Sequence, residues 1–162
     1  MENAAVKVVS GGGGVWVRHV LISRELDYSS GTDYLTIQLP SGRKLFYVSP
    51  KTVPNQWGKT SVTYRGMDQQ TKRWGRVATY GGKLVENCVQ AIARDCLAQA
   101  LDRLEKAGWP IVFHVHDEVV IEVDHNAADL EQVIKIMSDP MPWAPDLPLG
   151  ADGWIGNFFR KD

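Results

Sequence analysis

The feature that most limits what this chain can fold into is a change of period at Gly81-Gly82. Before it, from Val15 to about Thr79, apolar residues come in short β-rich runs. After it, Leu84, Val85, Cys88, Val89, Ile92, Cys96, Leu97, Ala100, Leu101 and Leu104 recur at i, i+3, i+4 spacing. That spacing predicts one long amphipathic helix, stopped by Gly108 with Pro110 just beyond. The expected class is therefore α+β: an antiparallel sheet followed by a long amphipathic helix.

Within the β-rich part, Val15–Ile22 is β-branched and half alternating, a strand-like run. Asp33–Leu39 and Lys44–Val48 flank Pro40-Ser41-Gly42-Arg43, a hairpin turn. Ser61–Arg65 and Lys72–Thr79 flank a polar connection containing Gly66, which predicts a second hairpin. Three aromatics, Trp57, Tyr64 and Trp74, sit among basic residues here. Downstream, Ile111–His116 and Val119–Val123 surround Asp117-Glu118 as a tight hairpin. Asn126 to about Met137 reads as a second helix with an asparagine cap. Four prolines between Pro140 and Pro148 make the next stretch irregular, and Leu149–Phe159 is a candidate final strand. Residues 1–14, ending in Gly11-Gly12-Gly13-Gly14, read as a flexible lead-in or linker, followed by a basic β-rich segment over 15–80 and a C-terminal segment over 81–162.

The 162 residues suit one domain, or one domain with an extension. At 44% hydrophobic and 23% charged the composition is that of a globular protein. No apolar run approaches the roughly 20 residues of a membrane span, and no signal-peptide core is present, so no membrane partner is expected. Cys88 and Cys96 stand two helical turns apart, about 12 Å by rise, too far to bridge. They read as small core residues of a reducing compartment, and a cytoplasmic setting is expected. The net charge of −1 conceals an asymmetry. Residues 1–80 carry 11 Lys and Arg against 5 Asp and Glu, whereas residues 81–162 carry 7 against 14. A basic half suggests a polyanionic partner, and an acidic half suggests bound cations or simple solvation.

Three groups of residues carry chemistry. His114-Val115-His116-Asp117-Glu118 crowds ionisable groups at a hairpin apex between apolar strands. It can be a plain polar turn. It can also ligate Mg²⁺, which favours one or two carboxylates completed by substrate phosphates. A third reading takes His114, His116 and Asp117 as transition-metal ligands, since alternate strand residues share a face; only His19 and His125 remain as further histidines. The second group is the helix face of Lys83, Glu86, Asn87, Gln90 and Arg94. Its amides can donate to the acceptors common to all base pairs in the minor groove, or the face can simply be solvated. In the third group Arg65, Lys72, Arg73 and Arg76 surround Trp74. That composition suits phosphate contact with stacking, or a solvated hairpin with a structural tryptophan.

The string from Tyr80-Gly81-Gly82-Lys83 through Glu86-Asn87-Cys88-Val89-Gln90-Ala91-Ile92-Ala93-Arg94-Asp95, followed by Val115-His116-Asp117-Glu118-Val119-Val120-Ile121-Glu122, resembles the C-terminal palm of family A DNA polymerases. The bacteriophage branch is the nearest, and Leu39-Pro40-Ser41-Gly42-Arg43 is similar to a segment its members carry ahead of this helix. The resemblance covers residues 15–162 and implies a partial polymerase palm with a motif C hairpin. It implies that Asp117 and Glu118 ligate Mg²⁺, that His116 contacts the primer terminus, and that Gln90 is the minor-groove glutamine. It further implies primer–template DNA as partner, dNTP in the complete enzyme, an upstream polymerase segment, and the cytoplasm of a bacterial host. Many members have an asparagine four residues before the glutamine; this chain has Glu86 there, with Asn87 one place later.

The reaction of that family uses two metals bridged by carboxylates from separate segments. Asp27-Tyr28-Ser29 spells the triplet of the second carboxylate motif, but its flanks lack the Glu-x-Arg continuation, and it reads as a loop. No helix with the spaced Arg, Lys and Tyr of the nucleotide-binding fingers is present in these 162 residues. The expectation is a polymerase segment inactive by itself. Two alternatives from other classes stay open: a non-catalytic DNA-binding or assembly module (a prophage remnant or one chain of a split polymerase), and a histidine-dependent metallohydrolase.

Overall fold

The computed structural model describes residues 1–55 and 58–159, so Trp57 lies outside the described residues. The elements of the first part are α1 (Glu2–Val9), β1 (Val15–Val17), β2 (Val20–Asp27), β3 (Thr32–Gln38), β4 (Lys44–Pro54), β5 (Thr60–Met67), β6 (Trp74–Thr79) and α2 (Gly81–Lys106). The chain divides into two compact units, Met1–Gln90 and Ala91–Asp162. The division falls inside α2 and not at the expected 80/81 boundary. The reason is that Leu84 and Cys88 are buried, and Asn87 bonds to Tyr47 of the sheet.

The first unit is an antiparallel meander in which each strand pairs with its sequence neighbours, β1 through β6. Alternation decides its two faces. Ile22, Leu35, Ile37, Tyr47 and Val62 point to one side and are at most 5% exposed. The hairpin at Pro40–Arg43 forms as expected: Leu39 N–H donates to the Arg43 carbonyl at 2.8 Å, and Gly42 takes φ 88°. The other turns differ from expectation. The run 15–22 is two strands, folded at Arg18-His19 with Arg18 at φ 53°. Gly66 is mid-strand opposite Gly75, and the turn lies at Asp68–Arg73 instead. There the Asp68 carboxylate accepts from Thr71 N–H at 2.7 Å and Gln70 N–H at 3.0 Å. Those bonds, the Thr71 ones first, hold its pKa below the ordinary aspartate value.

Residues 1–14 are not a flexible lead-in. The amphipathic α1 lays Ala5, Val8 and Val9, at most 7% exposed, among the buried residues of this unit. Burying each valine contributes roughly 1.5–3 kcal/mol. The glycine run is the helix stop: Gly11 adopts φ 99°, Gly12 N–H donates to the Lys7 carbonyl at 2.9 Å, and Gly11 N–H to Val8 at 3.2 Å. This is the glycine-terminated pattern that satisfies the last helical carbonyls. Glu2 also reaches α2, its carboxylate accepting from Gly81 N–H at 3.2 Å, where a negative charge complements the helix dipole.

In the second unit the rest of α2 buries Leu97, Ala100 and Leu104. It ends as predicted at Gly108 (φ 86°), with Trp109 N–H donating to Leu104 at 3.0 Å. A two-stranded sheet comes next, β7 (Ile111–Val115) with β8 (Glu118–Ile121). The second helix, α3 (Leu130–Ser138), starts later than expected. Asn126 falls in a separate 3-10 turn (His125–Ala127), and Asp129 supplies the cap, accepting from Gln132 N–H at 2.9 Å. Arg103 fixes the chain just beyond α3 by donating to the Asp139 and Pro140 carbonyls, each at 2.7 Å. The expected strand over 149–159 does not form among the described residues. Phe159 packs edge-on against Phe113 of β7 with ring centroids 5.1 Å apart, yet Trp154, Ile155, Phe158 and Phe159 stay 46% to 73% exposed.

Candidate functional site

The apex of the second unit's hairpin sits one residue earlier than the sequence suggested, with His116 in the loop and Glu118 on the strand. Val115 pairs with Glu118, so the loop is the two residues His116 and Asp117. His116 takes φ 52°. A left-handed non-glycine residue costs on the order of 1–2 kcal/mol, and such strain collects at functional sites. The turn projects His116, Asp117 and Glu118 into solvent, all three exposed. Among the described residues neither carboxylate is tied to a protein donor.

His114 behaves differently. It lies on β7, and the two terminal nitrogens of Arg94 approach its Nδ1 and Nε2 at 3.4 and 3.3 Å. A fixed cation against both ring nitrogens is a poor setting for metal ligation. His116 is not on a strand, so the shared-face argument for His114 and His116 fails. Among the described residues no group of three or more His, Cys, Asp or Glu is arranged to hold a metal ion. The transition-metal reading therefore loses its geometric basis. Mg²⁺ asks for less than a closed cage, one or two carboxylates completed by substrate phosphate and water, and the exposed Asp117 and Glu118 are the residues that could supply them.

The helix face divides between two roles. Lys83 pairs with Glu86 at 2.9 Å, which raises the lysine's pKa, and Gln90 Nε2 donates to the same carboxylate at 3.4 Å. Gln90 is exposed, and its bond to Glu86 is long enough to exchange for another acceptor. Asn87, expected on the same binding stripe, instead donates to Tyr47 Oη at 3.0 Å. Burial drives the Tyr47 pKa up to about 12, against the opposing effect of that bond. Arg94 is committed to His114.

In the β5–β6 hairpin, Lys72, Arg73 and Trp74 are exposed, Trp74 by 61%. Arg76 is also exposed but is held in place. It donates to the Ser49 carbonyl and to Thr63 Oγ1, both at 3.1 Å. Ser49 sits in the bulge between Val48 and Lys51 at φ 48°, so Arg76 satisfies a carbonyl that the bulge frees. Asp27 ends β2 and folds into its own turn. Hydrogen bonds from Ser29, then Ser30, bring its pKa down to about 2, and its carboxylate is spent locally.

No family model matches the chain, and no solved structure matches it. A curated protein does. The chain is 47% identical, over an alignment of 163 positions that covers all of it, to the DNA polymerase of Bacillus phage SP02. It is similar to a segment of a phage DNA polymerase. That segment is 24% of the relative's length, so the chain spans about a quarter of the protein it matches. No helix among the described residues is long and apolar enough to cross a membrane.

Proposed function

We propose that this chain is the motif C part of the palm of a family A, phage-type DNA polymerase, working with an upstream polymerase segment on primer–template DNA and dNTP. The observation that carries the reading is the strained two-residue turn presenting Asp117 and Glu118, exposed and without protein partners among the described residues. The 47% identity to a phage DNA polymerase supports it. Asp117 and Glu118 would hold Mg²⁺, which when bound supplies the positive charge that eases attack by the primer 3′ oxygen and departure of pyrophosphate. His116, fixed at the turn, contacts the primer end. Gln90 trades its long bond to Glu86 for a minor-groove acceptor, reading pair geometry without sequence. Lys83 borders Gln90, and Lys72, Arg73 and Trp74 are further DNA contacts of the first unit. Asn87, Arg94 and Arg76 brace these surfaces through Tyr47, His114 and the β4 bulge.

Two carboxylates alone do not position two cations and a triphosphate. The chain by itself is expected to show no primer extension. Supplying the upstream polypeptide of a phage-type polymerase in trans should restore synthesis, and Asp117→Asn should then lower it on the order of 10²-fold or more. Synthesis by the chain alone, or restored synthesis indifferent to Asp117→Asn, would refute the proposal. Restoration also separates a split enzyme from a non-catalytic DNA-binding module.

A further inference from the structure

The six-stranded sheet has a second face, opposite the one bearing Ile22, Leu35 and Ile37. Register and alternation assign to it Trp74 and Arg76 of β6, Arg65 and Met67 of β5, Lys51 and Phe46 of β4, and Tyr34 of β3. Trp74 is 61% exposed, Phe46 56% and Met67 49%. Large apolar side chains gathered this way on a sheet face mark a contact surface. The rings are also organised: Tyr34 packs edge-on against Phe46 with centroids 5.6 Å apart.

The charges on this face point to the partner. Arg65 and Arg76 stand directly opposite each other across β5 and β6, an arrangement that costs stability unless an anion lies between or above them. Arg76 is pre-oriented by Ser49 and Thr63. Lys51 lies on the same face, and among the described residues neither it nor Arg65 is ion-paired. The face's carboxylates belong to β2, away from this cluster. Glu25 is neutralised by Lys44 at 2.7 Å, and Asp27 is consumed by its serine turn.

We infer that this face binds single-stranded nucleic acid, with unpaired bases stacking on Trp74 and Phe46 and phosphates seated on Arg65, Arg76 and Lys51. Exposed rings interleaved with unpaired cations suit a strand whose bases are free to stack, and not a paired duplex whose bases are hidden. The surface lies wholly in the first unit and needs no divalent cation; it rests on the DNA contact proposed for Trp74 and gives it a strand preference, but not on the metal site at the hairpin apex.

The test is fluorescence anisotropy of the full chain with a labelled oligo-dT of about twelve nucleotides, in EDTA. Wild type should bind more tightly to this strand than to a hairpin duplex of the same length. Trp74→Ala and Phe46→Ala should each weaken binding about tenfold while leaving the salt slope unchanged. Arg65→Ala should lower the slope of log affinity against log salt by about 0.7, and Lys7→Ala, on α1, should leave both readings as in wild type. Because Trp74, Phe46 and Arg65 are exposed, unchanged circular dichroism is expected for all three. Failure of wild type to bind oligo-dT, equal or tighter binding of duplex, or ring variants that bind like wild type would overturn the inference. None of these readings involves Mg²⁺ or Asp117, so failure of the metal site at the hairpin apex is told apart from failure of this inference.

Discussion

The two units bury themselves differently. In the first, a meander is sealed on one face by side chains from α1, β2, β3, β4 and β5, with Val8, Ile22, Leu35, Ile37 and Val62 at 1% exposure or less. In the second, the β7–β8 hairpin has no buried residue, Val112 is 53% and Phe113 38% exposed, and the contact of Phe113 with Phe159, edge-on at 5.1 Å, leaves Phe159 itself 49% exposed. A two-stranded hairpin is marginal without neighbours. The first unit buries residues of the sheet itself, whereas the second buries Leu97, Ala100, Leu104 and Met141 outside the hairpin that carries the apex, and that hairpin lacks further strands among the described residues.

The contrast can be broken most sharply at the N-terminus. Deleting residues 1–9 removes Ala5, Val8 and Val9 and should lower stability by roughly 3–6 kcal/mol in urea melts; a truly loose leader would cost nothing. Next in size, Ile37→Ala should cost about 2–5 kcal/mol, whereas Val112→Ala on the exposed side of the hairpin should cost less than about 1 kcal/mol. Equal penalties would erase the difference between the units. A smaller effect belongs to Tyr47, whose folded pKa of about 12 exceeds the ordinary 10. Its contribution is fully present below pH 10 and is lost as the pH rises toward 12, by up to about 2 kcal/mol. Tyr47→Phe, which cannot ionise, should lose less stability over that range than wild type. The smallest is Glu2→Ala, expected to cost about 0.3–1 kcal/mol through the α2 N-terminus.

The sequence was legible where its signals are strong. The period of 3.6 from Leu84 to Leu104, with Gly108 at the left-handed stop, marked α2 to within a few residues. The Pro40–Arg43 turn was equally plain. The turn at Arg18-His19 was not, because a non-glycine residue at positive φ leaves no compositional trace. The four glycines after Ser10 looked like a linker, yet Gly11 and Gly12 perform the helix-ending role that glycine also serves. At the candidate site, Asp117, Glu118 and His116 were visible as an unusual cluster at an apex. The parts played by Asn87, Arg94 and Arg76 were not, since only tertiary contact reveals that Tyr47, His114 and Ser49 engage them. Polar residues left to a partner and polar residues that also bond within the fold look alike in sequence.

The most direct test of the claim that the hairpin apex grips a divalent cation is a Mn²⁺ titration of the isotopically labelled chain, tracking line broadening amide by amide. Broadening should centre on residues 116–119 and be strongly reduced in the double variant Asp117→Asn, Glu118→Gln. Broadening that centres elsewhere, at the Asp27 or Asp68 turns for instance, or that survives the double substitution, would contradict it.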